Sequence, residues 1–217
     1  MYKYDKNFFE QINTEEKAYW AGFIAADGNI RKDFHKVRIE LARKDRDHLF
    51  KFRKAIDGNN PIKDYTRFNN YSTYIEVNCK KMCEDLNKIG ITPNKSLTLN
   101  IDLTQIPKDL THHFIRGYFD GDGSLNSYQR KNTNYFDWEL SFISTKIFLN
   151  KILKELELNK ALFYCGNNYR FCLKSKKDIY KCLIYLYKDA HIYLDRKYDK
   201  MLEFLALNDY QVATLIG

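Results

Sequence analysis

Trp20-Ala-Gly-Phe-Ile-Ala-Ala-Asp-Gly28 decides how this chain is read, because Ile115-Arg-Gly-Tyr-Phe-Asp-Gly-Asp-Gly123 repeats its pattern. Gly22, Asp27 and Gly28 match Gly117, Asp122 and Gly123, with aromatic or aliphatic residues between. The two aspartates stand 95 positions apart in a chain of 217 residues, close to half its length. A lone Asp-Gly is usually a turn dipeptide, the reading given to Asp57-Gly58. The repeated glycine spacing sets the other two apart.

The residues after each stretch also match. Residues 29–31, 37–41, 62–68 and 71–77 after the first, and 125–129, 136–142, 161–164 and 169–173 after the second, alternate apolar and polar side chains. Such alternation marks half-buried antiparallel strands. Helical periodicity occupies 45–56, 80–89, 146–158, 175–187 and 194–207. Asn13, with Glu16 three residues on, makes a capping-box start for the first motif helix. The pattern predicts an α+β chain of two pseudo-symmetric αββαββα halves, 1–100 and 109–217. The linker is 101–108, within a turn-rich stretch, 92–109, that holds Pro93 and Pro107.

Each motif reads as a helix ending in Asp-Gly. Gly28 suits the position after a helix end, where a left-handed backbone is expected. Asp27 and Asp122 then lie at helix C-termini, the wrong end of the macrodipole for an anion. A nearby cation would offset that. Small residues recur one turn apart, Gly22 with Ala26 and Gly117 with Gly121, and a helix-interior glycine costs about 1 kcal/mol against alanine. Glycines there would let the two motif helices approach closely and bring their acidic ends together. Two converging carboxylates repel unless a divalent cation sits between them, an arrangement suited to metal-assisted phosphodiester cleavage.

Both stretches resemble the LAGLIDADG homing endonuclease motif, and the order of elements after each extends the likeness over nearly the whole chain. The resemblance implies a monomer whose motif helices form the interface and whose antiparallel sheets form a saddle on double-stranded DNA, with a long, nearly asymmetric target. It implies double-strand cleavage leaving short 3′ overhangs, as in intron homing. Asp27 and Asp122 would be the catalytic metal ligands, with the backbone carbonyls of Ala26 and Gly121 beside them. The metal would be Mg²⁺, with Mn²⁺ or Ca²⁺ able to substitute. Lys95 and Lys197, late in each half, would steady the transition-state phosphate or position water, with Arg196 a competitor of Lys197. The copies differ at the sixth motif position, Ala25 against Asp120. RNA maturases and non-cleaving DNA binders share this fold and are the alternatives. An intein is disfavoured, since neither a splicing nucleophile at Met1 nor a terminal His-Asn pair is present.

Sequence reading falls to the outward sheet faces. With the apolar set inward, these carry Arg38 and Glu40; Lys63, Tyr65 and Arg67; Ser72, Tyr74 and Glu76; Asn126, Tyr128 and Arg130; Asp137, Glu139 and Ser141; Arg170 and Lys174. Arg31 joins them beyond the first short strand. His112 and His113, at the start of the second motif helix, read as capping or packing residues. Lys174 to Lys181 reads as a solvated helix start.

Bulk properties agree with this. Lys and Arg number 36 against 28 Asp and Glu, a net charge of +8, and 44% of residues are hydrophobic. That suits a globular protein with a polyanionic partner. The five cysteines form no C-x-x-C pair and read as reduced, mostly buried thiols. No secretory h-region or long apolar run occurs, so a cytoplasmic or organellar protein is expected, neither secreted nor in a membrane.

Overall fold

The computed structural model describes residues 2–133 and 135–208; the terminal Ala-Thr-Leu-Ile-Gly and the Arg67 side chain lie outside the described residues. The first half runs α1 (Glu15–Asp27), β1 (Gly28–Ile30), β2 (Val37–Ala42), α2 (Arg46–Ala55), β3 (Ile62–Arg67), β4 (Asn70–Val77) and α3 (Lys80–Lys88). The second runs α4 (Thr111–Asp122), β5 (Ser124–Gln129), β6 (Phe136–Ser144), α5 (Lys146–Glu155), β7 (Phe163–Cys165), β8 (Asn168–Leu173), α6 (Lys176–Tyr187) and α7 (Asp195–Leu207). Each half builds a four-stranded antiparallel sheet, ordered β1-β2-β4-β3 in one and β5-β6-β8-β7 in the other. The fold is α+β, and the second half adds α7 to the shared pattern.

Register explains the faces. Arg38 lies opposite Glu76 and Glu40 opposite Tyr74, while Val37, Ile39 and Leu41 point into the core. In the second sheet Trp138, Leu140 and Phe142 face inward. Ser141 shares the outward face yet is buried, its hydroxyl 2.8 Å from that of Ser124 on the paired strand. The short edge strand β7 departs from the expected half-buried alternation, because all three of its residues are exposed.

α1 is buried on every side from Ala18 to Ala25. A helix apolar all round belongs at the centre of a fold, and this one is covered by its own sheet and by α4. Its cap is Thr14 rather than Asn13: the Thr14 hydroxyl accepts from the Lys17 amide, and the Asn13 side chain accepts instead from Lys17 Nζ. The cysteines are free, with Cys79, Cys83 and Cys182 buried, Cys172 half-buried and Cys165 exposed. Between the halves the chain makes short 3-10 turns at Lys95–Leu97, Leu103–Gln105 and Lys108–Leu110. Ile91, Leu99, Ile101 and Ile106 tie it to the core. Among the described residues no helix is long and apolar enough to cross a membrane.

Candidate active site

The site begins with the contact between α1 and α4. A Cβ on Gly22 would stand 1.9 Å from the Phe114 carbonyl oxygen, and one on Gly117 would stand 2.0 Å from that of Tyr19. Nothing larger than hydrogen fits, so the two backbones touch at matching glycines. One turn further on, a Cβ on Gly121 would meet Ala26 Cβ at 2.4 Å and Asp27 Oδ2 at 3.4 Å. Asp27 and Asp122 are the last residues of their helices and end side by side.

Gly28 and Gly123 are needed for a different reason from the one expected. Their φ angles are −79° and −80°, in the extended region and not left-handed. Each turns the chain from helix directly into strand, folded so closely over the last helical turn that a Cβ would strike Ile24 or Phe119.

Asp27 and Asp122 both open to solvent, but protein packs around the rest of each carboxylate. Burial, reinforced by the charge of Asp122, pushes Asp27 up to about 6. Burial raises Asp122 too, against the pull of Lys95, Lys197 and the Tyr118 hydroxyl. Both acids thus stand in a place where a second cation is favourable.

Lys95 and Lys197 sit at the two centres, each against the helix end of its own half. Lys95 Nζ donates to the carbonyls of Ala26 at 3.0 Å and Gly28 at 2.5 Å. Lys197 Nζ donates to those of Phe119 and Gly123, with that of Gly121 at 3.5 Å. Both side chains are buried, and burial lowers both pKa values, that of Lys197 to about 8. The cation that the helix macrodipole calls for is therefore present in the chain itself, as an ammonium at each C-terminus. Arg196, the competitor of Lys197, turns away to bond both Asp45 oxygens at 3.0 and 2.9 Å.

A cavity of about 240 Å³ adjoins Asp122, lined among others by Ala26, Lys95, Ser96, Tyr118 and Asn168, and another of about 260 Å³ adjoins Asp27. At about 30 Å³ per water each holds several, the setting for a hydrated hard cation. The donor set fits such an ion. Asp27 and Asp122 each keep carboxylate lone pairs that could ligate, beyond the Tyr118 contact of Asp122, and the Ala26 and Gly121 carbonyls each keep one beyond the lysine contact.

Several site residues escaped the sequence. Asp120 is fully buried and accepts hydrogen bonds from Tyr19 Oη at 2.7 Å, Tyr187 Oη at 2.8 Å and the Leu194 amide at 2.8 Å. Tyr19 Oη also lies 2.9 Å from Nε2 of the buried His48. Arg116, likewise without solvent contact, donates to Glu15 at 2.6 Å and to the carbonyls of Leu186 and Ile192 at 3.0 Å. An acid and an arginine inside an otherwise apolar helix were the available signal. His113 lies 2.6 Å from Arg116 and His112 stacks on it, so both pack and neither caps.

The outward faces are more self-paired than the alternation suggested. Arg38 stacks over Tyr74 at 3.8 Å and bonds Glu40 and Glu76, while Tyr65 donates to Glu40. Arg170 and Lys174 pair with Glu139, Arg130 with Asp137, and Arg31 with Asp33. Lys63, Asn126 and Tyr128 are exposed.

A family model for the WhiA LAGLIDADG-like domain matches residues 16–94 and 111–206, and the chain belongs to that family. Its fold is also that of solved LAGLIDADG endonucleases. I-GzeII, in complex with its DNA target, superposes with a TM-score of 0.62 at 14% identity, over 91% of this chain and 93% of that one. The meganuclease I-CpaMI, bound to uncleaved DNA, gives 0.61 at 14% identity over 88% and 90%. Among curated proteins, the replication factor C small subunit of Methanocaldococcus jannaschii is 26% identical over 122 residues, 56% of this chain but only 7% of that protein.

Proposed function

We propose that the chain is a site-specific DNA endonuclease, cutting both strands of a double helix by metal-assisted phosphodiester hydrolysis and leaving short 3′ overhangs. The observation that carries this reading is the meeting of Asp27 and Asp122 at a glycine-packed helix pair, each backed by a buried lysine and lining a cavity of its own large enough for several waters. Asp27, Asp122 and the carbonyls of Ala26 and Gly121 would hold Mg²⁺, which when bound lowers the pKa of a water and stabilises the leaving oxygen. The ammonium groups of Lys95 and Lys197 would face the scissile phosphates and offset their charge. DNA bound in the solved relatives' complexes and the +8 charge support a duplex lying across both sheets. The faces differ in side chains, which suits an asymmetric target read by a single chain. Arg38, Glu40, Tyr65, Tyr74, Glu139 and Arg170 are half-buried and preorganised for base edges, while Lys63, Asn126, Tyr128 and Lys174 suit the backbone or rim.

A second reading is DNA binding without cleavage. Its support is the WhiA-like family match, together with lysines that already engage carbonyls proposed as metal ligands. The test is incubation with a plasmid library of randomised or native insertion-site inserts, in Mg²⁺ for cutting and in Ca²⁺ for binding. Linear products with uniform 3′ ends support the nuclease. Sequence-selective retention with every plasmid left intact would overturn it in favour of the second reading.

A further inference from the structure

Lys95 and Lys197 ride on segments that leave their own half. The segment after Lys95 runs over α5 of the second half, and the segment before Lys197 runs over α2 of the first. α2 and α5 are equivalent helices of ten residues, offset by 100 positions. Lys51 and Lys151 occupy the same place on them, and both reach across. Lys51 Nζ donates to the Tyr193 carbonyl at 3.0 Å and to Asp195 at 2.5 Å. Lys151 Nζ donates to Asn100 Oδ1 at 2.7 Å and to the Ile101 carbonyl at 2.6 Å.

The N-cap positions of the same two helices repeat the arrangement. Asp45 makes no capping bond with its side chain and is instead held by Arg196. Thr145 caps α5 through the Phe148 amide and also donates to the Leu99 carbonyl at 2.5 Å. Two side chains on each helix, Lys51 and Asp45 on α2 and Lys151 and Thr145 on α5, thus join it to the strap carrying the other half's lysine. Asp45 closes a 3-10 turn that runs into α2, and its carboxylate is taken up by both bonds to Arg196.

We propose that each half positions the other half's active-site lysine, Lys51 and Asp45 holding the strap of Lys197 and Lys151 and Thr145 holding the strap of Lys95, so that the two strand cuts depend on both halves being docked. The cleavage part of this rests on the nuclease reading; the positioning part does not. Lys51 and Lys151 are positioning residues that touch neither acid.

The test compares Lys51→Met and Lys151→Met, which keep length and lose the donors, in the full chain. Lys151→Met should raise amide hydrogen exchange in 95–102 by about tenfold and leave 193–198 unchanged, and Lys51→Met should do the reverse. With DNA, each should keep KM within about twofold and lower kcat by about tenfold, the scale of a small misplacement of a catalytic group. Nicked circles should accumulate, cut in opposite strands for the two variants, and Lys51→Arg or Lys151→Arg should restore linear product. Asp45→Asn serves if Lys51→Met does not fold, and should loosen 193–198 alone. Exchange rising in the wrong strap, or equally in both, overturns the proposal, as do two variants that slow the same strand. If the unaltered chain cuts no DNA, the nuclease reading fails while the exchange result still decides the positioning.

Discussion

The two centres share an acid, a lysine and a glycine-packed helix end, but they are supported differently. On α1 the apolar Phe23 and Ala25 stand where the second half has Tyr118 and Asp120. The Tyr118 hydroxyl lies 2.9 Å from the Ile143 carbonyl oxygen and 2.8 Å from the Ser144 hydroxyl, and it favours the ionised form of Asp122. Asp120 gathers Tyr19, Tyr187 and the start of α7. Lys95 uses two carbonyls, whereas Lys197 reaches three. The duplicated frame keeps the reactive groups alike while the polar scaffolding has become the task of one side. Since Tyr19 comes from α1, that scaffolding also stitches the halves together.

The largest expected effect tests the likeness. Asp27→Asn and Asp122→Asn should each abolish double-strand cleavage, by at least about a thousandfold, the several kcal/mol that a metal supplies at the transition state. Both should still shift labelled target DNA in Ca²⁺. Substantial linear product from either variant breaks the shared-metal proposal.

Next comes the helix contact itself. Gly22→Ala and Gly117→Ala should destabilise the fold equally, by about 3 kcal/mol or more for an overpacked backbone contact, as read from urea unfolding. Unequal losses would show that the two sides of the contact are not equivalent. The difference in scaffolding predicts that at the sixth motif position neither half accepts the other's residue. Asp120→Ala should cost about 2–3 kcal/mol by leaving buried donors unpaired, with Ala25→Asp similarly harmful because no donors await it.

The pH profile sharpens the comparison further. Asp27, raised to about 6 by burial and by Asp122, loses its charge below that pH; Lys197, lowered to about 8 by burial, loses its charge above it. At subsaturating Mg²⁺ cleavage should follow a bell with limbs near these values. Metal binding should release a proton below the acid limb. A profile flat from pH 5 to 9 counts against both groups. The smallest effect belongs to the sheet faces. Lys63→Ala should weaken DNA binding uniformly and reduce the salt slope by about one, while Arg38→Ala should relax preference at one base pair by about 1–3 kcal/mol.

Much of this architecture was legible because it repeats. Two Asp-Gly ends with the same glycine spacing, followed by the same alternation, located α1, α4 and both sheets, and the offset aligned the halves. What escaped was long-range or compensated. Gly28 followed the rule for helix ends, but its φ is negative and its need is steric. The macrodipole argument called for a cation and pointed to metal, although lysines about 70 residues later in each half meet it first. Asp120 showed in the sequence only as a difference between the copies because none of its three donors is near it in sequence, and Arg116 satisfies its charge with Glu15, 101 positions away. Arg38 and Glu40 fell on the expected face, while the pairing of Arg38 with Glu76 and of Glu40 with Tyr65 depends on how the strands are placed against one another.

The close approach of Gly22 to the Phe114 carbonyl and of Gly117 to the Tyr19 carbonyl is one contact seen from its two sides. A self-complementary contact of this kind is what joins the two copies in a two-fold dimer. It works as a standard coupling, indifferent to the sheets mounted behind it. An αββαββα unit presenting the same glycine and carbonyl at the same spacing could be received in place of either half if it also supplied the partners of the Tyr19–Asp120 and Glu15–Arg116 contacts. On the proposed function, recognition of one side of a DNA site could then be exchanged wholesale, as a part rather than residue by residue, provided the incoming unit also carries its Lys51 or Lys151 equivalent to hold the opposite strap.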